Sequence, residues 1–430
     1  MAIQLRNFLL LLLMVSAGNM LAQTTVSSPY SRFGIGLLQK NGAQQSFGMG
    51  GLSMGLNNPI GINFNNPASY SGIKLTTFEL NATGSILKLS NSTTSQINKN
   101  VSLSYFAFAF PLSSKGGLSF GLVPYSNVGY KVKNASDSIL GSSRVNYIYS
   151  GDGGLSQFYI GAGHKIGKSL TVGVNVNYIF GSLNQSKSTE FPTGQSFINN
   201  RTTSSLFAGG LLFKYGAQYS FINSKKNKLT IGYAGNTKTN ITSTLNLTDE
   251  SYTSSVSGFE VSQGVREIEK NKRGKITLPT THSLGFVLEQ PNKLLIGADV
   301  SLNNWSEYRV DNKADASVDN SITTNIGAQF TPDFNAVSSY FKTVDYRAGL
   351  SFGSSYLRVK NKQLSEQSFS VGAGFPLPSS NNPISFSKVN VGIELSQRGT
   401  TANSLVKEQY LTFNLGFVLN TRWFIQRKYD

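Results

Sequence analysis

The chain has 430 residues, of which 39% are apolar, with 43 glycines, 28 phenylalanines, 19 tyrosines, no cysteine and a formal net charge of +17. Without cysteine there can be no disulfide, no thiolate metal site and no lipid-modified N-terminal Cys, and the low apolar fraction beside many Gly and aromatic residues suits strands with one polar face better than a soluble core. The cations are scattered through turns and loops such as 224–228 and 266–275, without a basic stripe or a nucleic-acid module, so the charge points to anionic lipid head groups and not to nucleic acid.

Arg6, the apolar run from Phe8 to Ala17 and the small-residue boundary Met20-Leu21-Ala22 read as a secretory signal peptide over 1–22, cleaved after Ala22. That run is too short for the ~20 residues of a spanning helix. No later stretch reaches that length, so a place in a membrane requires a closed barrel, the other structure that satisfies its backbone in lipid. Residues 23–72 are rich in Gly, Asn and Ser, with Gly48-Met49-Gly50-Gly51 and the turns Asn57-Asn58-Pro59 and Asn65-Asn66-Pro67. Their apolar residues (Phe33, Ile35, Leu37, Phe47, Leu52, Met54, Ile60, Ile62 and Phe64) do not alternate, yet are too many for a disordered tail. A hatch, or plug, inside the barrel would bury them.

From residue 73 to 430, segments of about ten residues alternate apolar and polar with a period of two, as transmembrane barrel strands do. Strands are expected near 74–89, 100–112, 117–132, 154–166, 169–182, 204–222, 228–242, 275–289, 293–311, 321–331, 342–355, 366–376, 385–398 and 407–423. The fold class is all-β: an antiparallel transmembrane barrel of about 14 strands, an even number as bacterial barrels require. Val172, Val174, Val176, Tyr178 and Phe180 face lipid on one strand, and Leu411, Phe413, Leu415, Phe417 and Leu419 on the last, with Trp423 and Phe424 at an interfacial belt. Short turns alternate with long loops around 183–203 and 243–274; the connection 332–341 breaks this order.

Several strands depart from simple alternation. The stretch 100–112 is apolar on both faces: Val101, Leu103, Tyr105, Ala107 and Ala109 against Phe106, Phe108, Phe110 and Leu112. In the third strand Leu118, Phe120, Leu122, Val128, Tyr130 and Val132 form a lipid-facing row interrupted by Pro124 and Ser126, with Gly121 and Gly129 on the inward face. Proline cannot donate to the ladder, so Pro124 implies a local break in the wall. Leu206, Ala208 and Leu212 are apolar yet inward, suiting a greasy substrate or burial of the hatch equally. Asp299, Arg347, Lys388 and Glu394 fall on inward faces, where charges must be paired or solvated.

Catalysis finds no support. His164 and His282 each lie on an expected strand without an acidic neighbour at triad or ligand spacing, so no catalytic residue, cofactor or metal is expected. Gly161-Ala162-Gly163 with Gly167 leads into another strand where a dinucleotide site needs a helix.

Asn66-Pro67-Ala68 after a Gly- and Ser-rich segment resembles the triplet that ends the N-terminal hatch of the FadL/TodX family of outer-membrane long-chain fatty-acid and hydrocarbon transporters. Leu278-Pro279, Gly285, Ala298-Asp299-Val300 and Trp305-Ser306 resemble that family's spaced pattern, and Phe120 to Tyr125 and Tyr346 to Leu350 resemble two further segments. The resemblance runs colinearly from about residue 28 to the end, in a Bacteroidota-like form. It implies an outer-membrane location, passive uptake of a hydrophobic small molecule, and a lateral opening at a kink in the third strand, carried onto Pro124. Related PorV-like barrels of type 9 secretion share the fold and the triplet but act as shuttles or scaffolds, so an adaptor with an outer-membrane protein partner is the alternative.

Overall fold

The computed structural model describes residues 28–40, 42–139, 143–191, 197–224, 227–255, 259–377 and 386–421. The signal peptide expected over 1–22 and the aromatics Trp423 and Phe424 lie outside them. Fourteen antiparallel barrel strands follow one another: β1 (Thr76–Ser90), β2 (Ser95–Ser113), β3 (Gly116–Ile139), β4 (Ser143–Ile166), β5 (Leu170–Glu190) and β6 (Asn199–Ser224), then β7 in two pieces, Asn227–Asn236 and Thr239–Ser254. β8 is likewise split, Glu260–Leu278 and Thr281–Gln290, and β9 (Leu294–Asn303), β10 (Ser321–Phe330), β11 (Asp345–Val359), β12 (Lys362–Pro376), β13 (Lys388–Arg398) and β14 (Lys407–Thr421) complete the ring. β14 pairs back onto β1, from Thr421↔Thr76 to Lys407↔Ser90, which closes the barrel. Among the described residues no helix is long and apolar enough to cross a membrane.

The period-two reading holds where one face meets lipid and the other the interior. On β5, Val174, Val176, Tyr178 and Phe180 are exposed while Asn175, Asn177 and Ile179 are buried. Outside the apolar belt, strands run on where loops are expected: much of 183–203 and 243–274 belongs to β5, β6, β7 and β8. Those segments carry polar residues on both faces, so no alternation marks them; Thr-rich stretches such as 242–248 pair because the neighbouring strand offers a ladder. The connection 331–344 holds only a short 3-10 turn, Tyr340–Thr343. It lies at the same end as the turns 114–115 and 291–293, the end we take as periplasmic.

Two β-bulges correct the expected facing. On β2, Tyr105 pairs with Asn81 but Leu103 with Ala82, so Ser104 is an extra residue and the phase flips. Tyr105, Ala107 and Ala109 are buried in the interior, whereas Val101 and Leu103 point out with the lower row of phenylalanines; the strand is apolar on both faces below the bulge and only on the outer face above it, where Asn100 and Ser102 turn inward. On β3, Pro124 pairs with Ser156 and Ser126 with Leu155, which leaves Tyr125 as the extra residue. Below it Leu118, Phe120 and Leu122 face out, but above it Val128, Tyr130 and Val132 join an interior apolar cluster instead of continuing the lipid-facing row. Ser126 accordingly is buried inward, and Gly129, between two inward residues, takes the opposite face from the one expected.

Residues 28–40 and 42–75 lie within this ring. They form two 3-10 turns, Pro29–Arg32 and Pro67–Gly72, a two-residue strand Leu37–Leu38 and one helical turn, Gln44–Phe47. Ile35, Met49, Leu52, Ile62, Phe64 and Tyr70 are among the most deeply buried side chains of the chain.

Candidate functional site

Close approach of backbone to backbone positions the lower part of the N-terminal segment. Gly117 pairs with Gly163, Gly163 with Gly173 and Gly173 with Gly216, so four adjacent strands present a row without side chains. Against this row lies the turn that begins at Asn66-Pro67-Ala68. A Cβ on Gly173 would sit 2.4 Å from the Pro67 carbonyl carbon, and one on Gly117 would sit 2.1 Å from the Tyr70 oxygen. Pro67 opens the 3-10 turn, whose N-cap Asn66 accepts from the Ala68 N–H at 3.2 Å and donates through Nδ2 to the Met54 carbonyl at 2.8 Å. The triplet thus ties two passes of the segment together just before β1.

Wall side chains also bond the backbone of the segment. Asp299 Oδ2 accepts from the N–H groups of Ser53 at 2.5 Å and Met54 at 3.0 Å. Glu79 accepts from the Ile62 N–H at 2.8 Å and the Tyr105 hydroxyl at 2.7 Å. Gln218 donates to the carbonyls of Met54 and Leu56, at 2.8 and 3.0 Å. Gln44, from the segment itself, donates to Leu80 and Phe417 carbonyls across β1 and β14, at 2.7 and 3.2 Å. Asp299 and Glu79 thereby satisfy the backbone N–H groups of Ser53, Met54 and Ile62 in the irregular segment.

All four charges expected inward point inward, and all four are engaged. Arg347 donates to Asp345 at 3.1 Å, Asn390 at 2.7 Å and Gln329 at 2.9 Å, while Lys388 reaches the same Asp345 at 2.7 Å. Glu394 faces Lys40 of the N-terminal segment at 3.6 Å. Arg347, Asp345, Lys388 and Glu79 line a cavity of about 430 Å³ that opens among the turns at the 291–293 end of the barrel. Among the described residues no His, Cys, Asp or Glu cluster could hold a metal ion.

The upper lumen is apolar and packed. Leu206 lies against a cluster that holds Ala208, Leu212, Ile179, Leu183, Val128 and Tyr130, and the segment's own Tyr30, Ile35 and Leu37 bury themselves in it. Trp305 and Tyr308, from the connection after β9, cover it from the outer end, with the Trp305 ring 4.2 Å from Tyr356. Burial pushes the Tyr30 phenol up to about 12. It therefore stays protonated, donating to the Val406 carbonyl at 2.7 Å and accepting from the Val406 N–H at 2.9 Å. Of the two uses open to inward Leu206, Ala208 and Leu212, burial of the N-terminal segment is the one seen.

The wall is interrupted at a seam between β2 and β3. β2 and β3 pair only from Phe106↔Leu122 down to Ser113↔Gly116. Above that level β3 keeps β4 on one side, and on the other it bonds the N-terminal segment: Leu37 pairs with Asn127, Leu38 with Ser126, and Gln39 N–H donates to Tyr125 O at 3.1 Å. Higher still, Ser28 N–H donates to Gly129 O at 2.9 Å and the Gly129 N–H to Ser31 Oγ at 3.0 Å. Gly36 seats this contact at φ +92°, where a Cβ would lie 2.5 Å from the Asn127 oxygen. Pro124 and Gly121 flank the level at which the ladder ends, with Gly121 inward against the Phe106 oxygen.

Sequence reasoning missed Glu79, Gln44, Gln218 and Glu408 as contacts of the segment. Glu79 carried a usable signal, since Thr77, Glu79 and Asn81 alternate with Phe78 and Leu80. Glu408 accepts from the Ser28 hydroxyl and is held by Arg398 at 3.1 Å. That link joins residues 380 positions apart, and no local pattern announces it.

A family model described as BamG matches residues 4–430. Among solved structures, a Pseudomonas aeruginosa FadL homologue superposes with a TM-score of 0.57 at 11% identity, covering 89% of this chain and 99% of that one. The Ralstonia pickettii toluene transporter TbuX gives 0.57 at 13%, covering 89% and 99%. The P. putida toluene transporter TodX gives 0.56 at 15%, covering 90% and 100%. No curated protein matches the sequence. At these identities the likeness is one of fold: the molecule is a β-barrel of the FadL type.

Proposed function

This chain belongs to the BamG family, and we propose that it works in the outer membrane as a closed barrel that scaffolds a partner protein, with residues 1–22 removed on export and 23–72 serving as a fixed plug. The observation that carries this reading is the use of the apolar upper lumen: the surface that a greasy substrate would need is already buried by Tyr30, Ile35 and Leu37. The channels that share the fold do so at 11–15% identity, and fold does not settle function. Mild-detergent pull-down from the native membrane should yield a stoichiometric protein partner, and deletion of the gene should leave uptake of hydrophobic compounds unchanged. Native mass spectrometry showing retained lipid-like ligand, together with an uptake defect, would overturn it. Deleting residues 23–64 should leave a folded barrel with raised nonspecific permeability; unchanged antibiotic sensitivity would rule out the plug.

The seam supports a second reading, passive passage of a hydrophobic small molecule, released sideways near Gly121, Pro124, Ser126 and Gly129. Passage then requires residues 28–40 to leave the β3 edge. Cysteines at Leu38 and Ser126, which face each other in register, would lock the segment in place when oxidised. Uptake of a hydrophobic probe that is equal in the locked and reduced forms would remove this route.

A further inference from the structure

The same seam leaves a second strand edge that the N-terminal segment does not cover. Among the described residues, β2 from Lys99 to Tyr105 is paired with β1 alone, and its other edge has no partner. This stretch is at membrane depth. Leu103 stands in line with Ala82 and Leu415, and Val101 with Gly84 and Phe413, all on the lipid-facing side of the closed β14–β1–β2 wall. Val101 is 72% and Leu103 57% exposed, against 45% for Phe413 and 44% for Leu415, because nothing lies beside them on the β3 side. On the inward face, the Asn100 side-chain oxygen is buried without a hydrogen-bond partner.

Hydrocarbon cannot satisfy backbone N–H and C=O groups, which is why open sheet edges do not stand in lipid. The unpaired groups of one β2 edge recur every two residues, ~6.8 Å apart. Acyl chains offer them nothing, whereas an extended polypeptide matches them one for one. β3 of the same chain is not available: its bulge at Tyr125 turns it away, and its edge is taken by Ser28, Leu37, Leu38 and Gln39. We propose that the β2 edge over Lys99–Tyr105 receives an extended strand from another outer-membrane protein. That strand would set apolar side chains beside Val101 and Leu103 toward lipid, and polar ones beside Asn100 and Ser102 inward. The proposal deepens the scaffold reading by assigning the face on which the partner docks.

The test uses the full chain in its native outer membrane, carrying p-benzoylphenylalanine at Val101, at Leu103 or, as a control on the closed wall, at Phe413. Each variant is first checked for the heat-modifiable gel mobility of a folded barrel. The expected result is one foreign polypeptide adduct at 101 and 103, absent at 413. The crosslinked residue in the partner should move by two positions between the two probes, as strand pairing demands and side-by-side contact does not. Adducts to lipid alone, to residues 23–27 of the same chain, or to a second copy of this chain would overturn the proposal, as would a foreign adduct with no register shift. A stoichiometric partner recovered by pull-down but crosslinked elsewhere sinks the seam and leaves the scaffold reading standing. Failure to recover any partner sinks both.

Discussion

The lower and upper halves of the barrel hold the same N-terminal segment by different means. Below, the wall withdraws its side chains at Gly117, Gly163, Gly173 and Gly216, so that the segment's backbone touches the wall's backbone and Asp299, Glu79 and Gln218 bond it directly. Above, the segment is held by apolar side chains, by a two-residue strand on β3 and by the Ser28–Glu408 contact. The lower mode fixes shape, because neither glycine nor a buried N–H tolerates displacement; the upper mode fixes only an apolar surface, which can repack. The wall follows the same division, since the β2–β3 ladder is intact below Leu122 and absent above it.

The largest effect is expected where the upper half relies on charge. Arg398 donates to Glu366 at 2.7 Å and Glu408 at 3.1 Å, with only 13% of its own side chain exposed. Arg398→Ala would strand two carboxylates and cost about 3–5 kcal/mol, read as a lowered midpoint for urea unfolding in vesicles. If the midpoint holds, the upper anchor is less dependent on this trio than its geometry indicates. Asp299→Ala tests the lower half: two buried N–H groups lose their acceptor, at about 1–3 kcal/mol. Hydrogen exchange should speed up over residues 50–56 while residues 28–38 stay as protected as before; uniform loosening of both would erase the distinction between the halves.

The barrel was legible in the sequence because lipid imposes a period of two, and all fourteen strands overlap the segments expected, although the ninth, expected to 311, ends at Asn303 before the 3-10 turn Trp305–Glu307. What remained hidden has two physical causes. Beyond the apolar belt no face is selected, so the outer reaches of β3 to β8 carry no alternation and read as loops. Within it, a bulge adds one residue without any composition cue and inverts every facing beyond it, which is how Val128, Tyr130, Val132 and Gly129 came to be read on the wrong side. The inward charges Asp299, Arg347, Lys388 and Glu394 were legible, but their partners were not, since pairing across strands depends on register.

A glycine exchange sharpens the comparison at lower cost. Gly173→Ala places a methyl 2.4 Å from the Pro67 backbone, and the segment must shift to admit it, at about 1–3 kcal/mol for overpacking. Gly84→Ala is the matched control, since its nearest neighbour would be Val101 Cγ2 at 3.8 Å, an ordinary contact on the lipid face. The first variant should unfold at lower urea than the second, and equal midpoints would mean that the glycine row is not what seats Pro67.

The smallest effect is expected at the residue that the sequence marks most strongly. Pro124 reads as the cause of the break, which would make Pro124→Val with Ser126→Leu a repair that restores the ladder and the apolar row. In the structure the β2–β3 ladder has already ended at Leu122, two residues earlier, and the extra residue at Tyr125 inverts the strand just beyond. Valine at 124 therefore gains a donor with no β2 acceptor opposite it, and we expect the single change to move stability by less than about 1 kcal/mol. Ser126, 2% exposed, points into the interior, so leucine there would overpack it, at about 1–3 kcal/mol, without extending any lipid-facing row. The double variant should thus be less stable than Pro124→Val alone. Were it more stable than the wild-type chain, the bulge would be a consequence of Pro124, and the division between the two halves of the wall would rest on that one residue.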